Sequence, residues 1–185
     1  MLMGTLSGFM RSESPSAVPI PTTVAAVFDR AVSVLESEMI SLAEAMPAEK
    51  YGFAPTQGEF TGVRNFGAQV RHVAATNFHL AASILGERPP QGSENDIGPD
   101  DVKTKDESVK YLKDSFAYLH RAMLSITEQN MLVLVPSPYG GRQTTRLRIA
   151  VLAAGHPYDH YGQMVEYLRM NGIIPPASRQ QSPTK

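Results

Sequence analysis

Cysteine is absent from the 185 residues of this chain. Without it the protein can form no disulfide bond, no thiolate nucleophile, and no zinc or iron–sulfur site that depends on cysteine ligands. The absence leaves the cellular compartment open, because a protein without cysteine is indifferent to the redox poise around it. Any metal site must therefore be built from nitrogen and oxygen donors.

Clustered basic residues are lacking as well. The chain carries 17 Lys and Arg residues against 18 Asp and Glu residues, for a net charge of -1. A nucleic-acid backbone is bound through clustered cations that replace its counterions, so we expect no DNA or RNA partner. No apolar run approaches the ~20 residues needed to span a bilayer, and residues 1–10 lack the cationic start of a secretory signal. We therefore predict a cytoplasmic protein with no membrane partner.

Hydrophobic residues make up 42% of the chain, which is enough for one sizeable core. A segment rich in Ser and Pro precedes the first apolar stripe, as is typical of linkers, and the last residues are polar. We predict an N-terminal tail at 1–21, a single domain at 22–176, and a C-terminal tail at 177–185.

Apolar residues recur at steps of three and four in four segments of this domain. Such spacing places them on one face of an α-helix and predicts an all-α four-helix bundle. Thr104 followed by Glu107 predicts a capping box, which marks the start of the third helix most clearly. The predicted helices span about 24–46, 64–86, 105–126 and 145–171.

Two connections between these helices differ in composition. Residues 88–103 contain prolines, glycines and acidic residues without periodicity, which predicts a long connection between helices 2 and 3 that crosses an end of the bundle. Residues 131–145 read MLVLVPSPYGGRQTT, which predicts a short extended excursion with a turn between helices 3 and 4.

His156 and His160 are four residues apart in the fourth predicted helix. Residues at this spacing are neighbours on one helix face, with Cβ atoms about 5–6 Å apart, so both imidazoles can reach one metal ion. Both lie on the apolar stripe, where an imidazole needs a polar partner. Pro157 lies between them and can set the direction of the two rings. The alternative is that both are core histidines bonded to neighbouring residues, and that Pro157 is a tolerated kink.

His72 lies in the middle of the second predicted helix, at the edge of its buried face. Together with the pair in the fourth helix it predicts a metal site formed by His72, His156 and His160. Three protein ligands leave one coordination position open, as in catalytic metal sites. Alternatively, His72 is an isolated half-buried histidine. His79 and His120 are not assigned to the site.

The residues around the second histidine supply supporting candidates. We predict that Asp159 and Gln163 accept hydrogen bonds from the ligating imidazoles, because metal-bound histidines usually donate their other N–H group to an oxygen. Asp159 is alternatively a solvated surface charge. Tyr158, Tyr161 and Met164 are predicted to line a pocket, and helix packing is the alternative for the two tyrosines. No catalytic acid or base is identified from the sequence.

Segments 69–80, QVRHVAATNFHL, and 156–176, HPYDHYGQMVEYLRMNGIIPP, resemble the DinB/YfiT-like superfamily. The resemblance implies a four-helix bundle of up-down-down-up topology, usually a homodimer. It implies a divalent metal ion, most often zinc or nickel, on three histidines that by position are His72, His156 and His160. Some relatives are S-transferases or isomerases that use low-molecular-weight thiols such as bacillithiol or mycothiol, and others are described as metal-dependent hydrolases.

Two functions follow from these residues. The first is a metal-dependent enzyme whose three-histidine site activates a water molecule or a low-molecular-weight thiol, as a hydrolase or an S-transferase. The alternative is a metal-free or vestigial homodimeric bundle that binds a small ligand or a partner helix. The sequence alone leaves both open.

Overall fold

Four α-helices make up most of the computed structural model, which describes residues 20–179. They are α1 (Val24–Ala45), α2 (Phe66–Leu85), α3 (Lys105–Leu124) and α4 (Arg146–Met170). Two short strands, β1 (Leu134–Pro136) and β2 (Gln143–Thr145), pair as an antiparallel hairpin between α3 and α4. The predicted all-α four-helix bundle is confirmed, and the hairpin forms where the extended excursion is predicted.

Most of the two predicted tails lies outside the described residues, which exclude 1–19 and 180–185. Near the C-terminal end, Pro176–Ser178 forms a 3-10 turn that contacts α1. Another 3-10 turn, Ala48–Lys50, follows α1.

A polar side chain caps the first turn of each of the four helices. Thr23, Asn65, Thr104 and Thr145 each accept a hydrogen bond from the backbone N–H three residues further on. These bonds satisfy donors that have no partner inside the helix. The predicted capping box is present, because Glu107 accepts a hydrogen bond from the backbone N–H of Thr104 at 2.8 Å.

Contacts between helix ends give the directions of the helices. Lys105, at the start of α3, donates to the carbonyl of Met46, just after α1, at 2.9 Å, so α1 and α3 run in opposite directions. Arg146, at the start of α4, donates to the carbonyl of Ile84, near the end of α2, at 3.0 Å, so α2 and α4 also run in opposite directions. Both α1 and α2 pack against α3 and α4. These pairings are those expected of an up-down-down-up bundle.

The long connection between α2 and α3 is explained by their common direction. Arg121, near the end of α3, pairs with Glu87, just past the end of α2, at 2.7 Å, so the chain must return along the bundle before α3 begins. Gly86 turns the chain out of α2 with a φ of 73°, a left-handed conformation that favours glycine. Further along, Gly98 lies so close to Tyr111 that an added Cβ atom would meet its ring at 2.6 Å. This close contact packs the connection against α3.

The second helix lies deepest in the bundle, because it packs against α3, α4 and β1. Apart from its apolar residues, it buries two amide side chains, Gln69 and Asn77. The largest fully buried side chains of the core include Leu35, Met39, Phe66, Leu80 and Phe116. None of the helices described between residues 20 and 179 is long and apolar enough to cross a membrane.

Candidate metal centre

Three histidines meet where the first half of α2 faces the middle of α4. His72 comes from α2, and His156 and His160 come from successive turns of α4. One ring nitrogen of each lies within 4.8 Å of the corresponding nitrogen of the other two. The ring centroids are 4.7 Å apart for His72 and His160, 5.2 Å for His72 and His156, and 4.5 Å for His156 and His160. The structure therefore brings together the three residues that the spacing selects.

The fourth helix continues without a break through Pro157. Proline has no backbone N–H, so the carbonyl of Ala153 receives no helical hydrogen bond at this turn. Helical geometry is nevertheless kept on both sides of the proline, and the spacing of four residues therefore places both imidazoles on one face.

Hydrogen bonds determine which ring nitrogen is free on two of the histidines. The Nδ1 atom of His160 lies 2.7 Å from the Oε1 atom of Gln69. The Nδ1 atom of His72 lies 2.8 Å from the carbonyl oxygen of Asp96 and 3.1 Å from its carboxylate. Oxygen atoms of these kinds accept hydrogen bonds, so Nδ1 carries the proton in both rings. The Nε2 atoms of both rings therefore keep a free lone pair.

The third imidazole completes a donor set that fits a divalent metal ion. The Nε2 atom of His156 lies 3.0 Å from the Nε2 atom of His160. With metal–nitrogen bonds of about 2.0–2.1 Å, two nitrogens on one ion are separated by about 2.8–3.4 Å for bond angles of about 90–110°. The Nδ1 atom of His156 is buried without a partner among residues 20–179. The donor type and the close approach of the Nε2 atoms both suit a divalent transition-metal ion.

A chain of side-chain hydrogen bonds begins at the Nδ1 atom of His160. Gln69 accepts from the imidazole and donates through Nε2 to Oε1 of Gln163 at 2.8 Å. Gln163 in turn donates through Nε2 to Oδ2 of Asp159 at 3.0 Å. Asp159 and Gln163 thus reach the imidazole through Gln69, which the sequence reasoning missed. The signal that would have identified Gln69 is a polar residue on the buried stripe of α2, one turn before His72.

Asp96 orients His72 from the connection between α2 and α3, and it too was missed. Arg64, just before α2, makes hydrogen bonds to the Asp96 carboxylate at 2.8, 2.9 and 3.1 Å. Partial burial raises the pKa of this carboxyl, but the hydrogen bond from Arg64 and the nearby His72 outweigh the burial and leave the pKa below its ordinary value. The carboxylate is therefore charged at neutral pH and holds the His72 proton in place.

Burial keeps the two histidines of α4 neutral. It lowers the pKa of His156 to about 4, with further lowering by the neighbouring His160 and His72. It also lowers the pKa of His160 to about 4, again with a contribution from His72. Metal ligation requires an unprotonated imidazole nitrogen. Both groups are thus in the ligating form throughout the neutral range.

The remaining candidates lie around the cluster in different environments. Tyr158 is about half exposed, Tyr161 packs partly buried against the core, and Met164 is fully buried. None of the three predicted pocket residues lines the cavity that borders the cluster.

Comparison with known proteins agrees with this architecture. Residues 31–164, more than half of the chain, match the model of the DinB superfamily. The structure is similar to a DinB-like protein from Bacillus cereus, with a TM-score of 0.66 and 14% identity over 83% of this chain and 96% of that one. It is also similar to a DinB-like protein from Bacillus subtilis, with a TM-score of 0.60 and 16% identity over 85% of this chain and 96% of that one.

At these identities the two structures support the fold alone. No protein of curated function matches the chain significantly. The family model covers α2 and α4 up to the third histidine, and hence both helices that carry the cluster. The chain belongs to the DinB superfamily.

Proposed function

We propose that this protein is a divalent-metal-dependent enzyme, with zinc or nickel at the three-histidine site. It activates a water molecule or a low-molecular-weight thiol and acts as a hydrolase or an S-transferase. One observation carries the proposal: protein oxygens hold the Nδ1 protons of His72 and His160, and their free Nε2 atoms lie beside His156. Imidazoles that are oriented through Nδ1 in this way are typical of metal ligands.

The protein residues have distinct parts in this chemistry. His72, His156 and His160 would hold the ion. Asp96 orients the ring of His72, and Gln69 orients the ring of His160. A bound divalent ion supplies Lewis acidity, which lowers the pKa of a water molecule or thiol at an open coordination position. Three histidine ligands leave room for that fourth position.

A metal-free bundle is the second candidate, and one contact is compatible with it. The Nε2 atoms of His156 and His160 are 3.0 Å apart, which suits a direct hydrogen bond if His156 carries its proton on Nε2. That arrangement leaves the Nδ1 atom of His156 as a buried acceptor without a partner in the described part of the chain. The Nδ1 atom of His156 is equally unpaired when Nε2 binds an ion, so its cost of about 1–3 kcal/mol does not separate the two candidates.

We also propose that a second copy of the chain packs on the face formed by α1 and α4. These helices contact each other, and both expose apolar side chains beside the contact. Val27 and Val34 of α1 are 53% and 40% exposed, and Val151 and Tyr158 of α4 are 58% and 46% exposed. A Val151→Glu substitution is expected to halve the mass measured by light scattering at micromolar concentration. A monomeric mass for the unchanged protein would refute the dimer.

Elemental analysis tests the metal proposal directly. The purified protein, incubated with zinc or nickel and dialysed, is expected to retain about one ion per chain. A variant with His72, His156 and His160 changed to alanine is expected to retain none. Loss of activity in that variant, on a substrate found by screening thiol-transfer and hydrolysis reactions, would extend the result to catalysis. Absence of retained metal in the unchanged protein would favour the metal-free bundle.

A further inference from the structure

A cavity of about 210 Å³ adjoins the three-histidine cluster and shares His72 with it. Its walls come from three parts of the chain: one side of α2, residues 93–96 of the long connection, and Tyr139 in the turn of the hairpin. The connection and the hairpin thus cover a face of α2 that the other helices leave free. A ligand in this cavity would have one end beside the candidate metal.

The cavity extends along α2 from His72 past Thr76 to His79. Residues seven apart on an α-helix are about 10 Å apart along its axis. The volume corresponds to that of roughly seven water molecules in the liquid. A slender ligand of about six to nine non-hydrogen atoms therefore fits, with one end at His72 and the other toward His79.

His79 lines the end of the cavity remote from His72. Its Nε2 atom is buried and has no hydrogen-bond partner within residues 20–179. No hydrogen bond of the described residues fixes the position of the proton on this ring, so the imidazole can meet either a donor or an acceptor. His79 therefore makes this end of the cavity polar, and the charge of a suitable ligand group must be set by other residues.

The charges of the residues that line the cavity favour a cationic ligand group. Glu94 and Asp96 both line the cavity, and no Lys or Arg residue lines it. Arg64 and His72 already engage Asp96. Glu94, by contrast, forms no ion pair in the described part of the chain. An uncompensated carboxylate favours a cationic ligand group and disfavours an anionic one.

We propose that this cavity binds a small ligand with a cationic amino group, which pairs with the carboxylate of Glu94 on the cavity wall. The proposal rests on the proposed function, because the other end of the ligand then lies at the metal as a thiol or as the group to be hydrolysed. It narrows the substrate class to amine-bearing small molecules and excludes those whose remote end is a carboxylate.

Three thiols of equal length test the proposal: aminohexanethiol, mercaptohexanol and mercaptohexanoate. They are titrated into protein loaded with cobalt, whose visible absorption reports both the bound ion and its ligation by a thiolate. Aminohexanethiol is expected to bind about tenfold more tightly than mercaptohexanoate, with mercaptohexanol between them. Equal or tighter binding of mercaptohexanoate would overturn the proposal.

Two variants test whether the preference for the amine arises from Glu94 in the cavity or from the overall charge of the protein. Glu94→Gln is expected to reduce the preference for the amine about threefold, as for an exposed ion pair. Asp101→Asn removes an exposed acid of the same connection that does not line the cavity, and it is expected to change nothing. A preference that persists in Glu94→Gln, or that falls equally in Asp101→Asn, would contradict the assignment of Glu94.

Failure of the proposed function would be seen before any thiol is added, as the absence of cobalt absorption. The cavity is then tested on metal-free protein with hexylamine and hexanoate by nuclear magnetic resonance. Shifts of the backbone amides of Thr76 and Glu94 that are larger for hexylamine would support the amine site. Shifts that are absent for hexylamine, or equal for the two compounds, would overturn it.

Discussion

His120 and the three-histidine cluster show two ways in which this bundle uses imidazole. His120 joins α3 to α1, with Nδ1 2.6 Å from a carboxylate oxygen of Asp29 and Nε2 3.2 Å from one of Glu36. Both of its ring nitrogens are thus engaged by acids of the protein. In the cluster, His72 and His160 bond protein oxygens through Nδ1, and the Nε2 atom of His160 faces the Nε2 atom of His156 at 3.0 Å.

A structural histidine and a candidate metal ligand thus differ in what contacts the ring nitrogen that remains after the first hydrogen bond. A ring nitrogen that contacts an acid of the protein is not available to a metal ion. An imidazole that bonds protein oxygens through Nδ1 leaves Nε2 for an ion. The residue type is the same in the two regions, and the groups around the rings differ.

The largest expected effect comes from removing one histidine of each kind. His160→Ala is expected to weaken zinc binding more than about 100-fold, because it deletes a donor as well as its orientation. His120→Ala is expected to leave zinc affinity unchanged. Competition with a chromophoric chelator measures both constants. Equal loss in the two variants would mean that the distinction between the two regions is wrong.

Gln69 provides a finer test, because it touches the cluster only through His160. Gln69→Leu replaces the amide with an apolar side chain of similar size and removes the acceptor for Nδ1–H, so zinc affinity is expected to fall about 10–100-fold. Gln69→Glu restores an acceptor and is expected to recover most of the affinity. If Gln69→Glu binds zinc as weakly as Gln69→Leu, the glutamine acts by packing and not by orienting the ring.

The thermal stability of the metal-free protein is expected to depend on pH through His156 and His160. The pKa values of His156 and His160 are about 4 in the folded protein, below the ordinary 6.5. Between these values the unfolded chain binds more protons, so stability is complete above about pH 6.5 and is lost as the pH falls toward 4. After a discount for solvent exposure, we expect Tm to fall by about 4–8 °C between about pH 7 and 5.

The control is a protein with glutamine at positions 156 and 160, which removes both imidazoles whose pKa values are lowered. Its Tm is expected to change less over the same pH range, and thermal unfolding followed by circular dichroism measures the difference. Parallel curves for the two proteins would show that the acid sensitivity arises elsewhere in the bundle.

The smallest effect is expected for the stability contribution of His120. His120→Ala removes two charge-assisted contacts between α1 and α3 and leaves Asp29 and Glu36 facing an empty space. Because the group is partly exposed, we expect a loss of about 1 kcal/mol in the free energy of unfolding. Urea denaturation at neutral pH measures it. A stabilised variant would imply that the imidazole relieves no repulsion between the acids.

Much of the fold could be predicted because it depends on local chemistry. The capping box of Thr104 and Glu107 and the cap at Thr145 lie at the starts of their helices. The third helix ends at Leu124, although the apolar pattern continues to Ile126, which is buried beyond the helix end. The spacing of apolar residues indicates which side chains are buried. A side chain can be buried just beyond the end of a helix, so the spacing does not fix where the helix ends.

The supporting groups of the cluster could not be predicted in the same way. Gln69 reaches His160 across 91 positions of sequence, and Asp96 reaches His72 across 24. No local pattern encodes such contacts, because they depend on how α2 packs on α4 and on how the long connection returns along the bundle. The acidic loop residues resemble ordinary solvated charges until the connection is placed.

The sequence by itself determined the helices, their caps and the one-face placement of His156 and His160, because each depends on neighbours within a turn or two. Only the tertiary structure decided which nitrogens are free, which histidines stay neutral, and where a cavity opens beside them. Those properties arise from groups brought together across the bundle, where burial and hydrogen-bond partners set the chemistry of an imidazole.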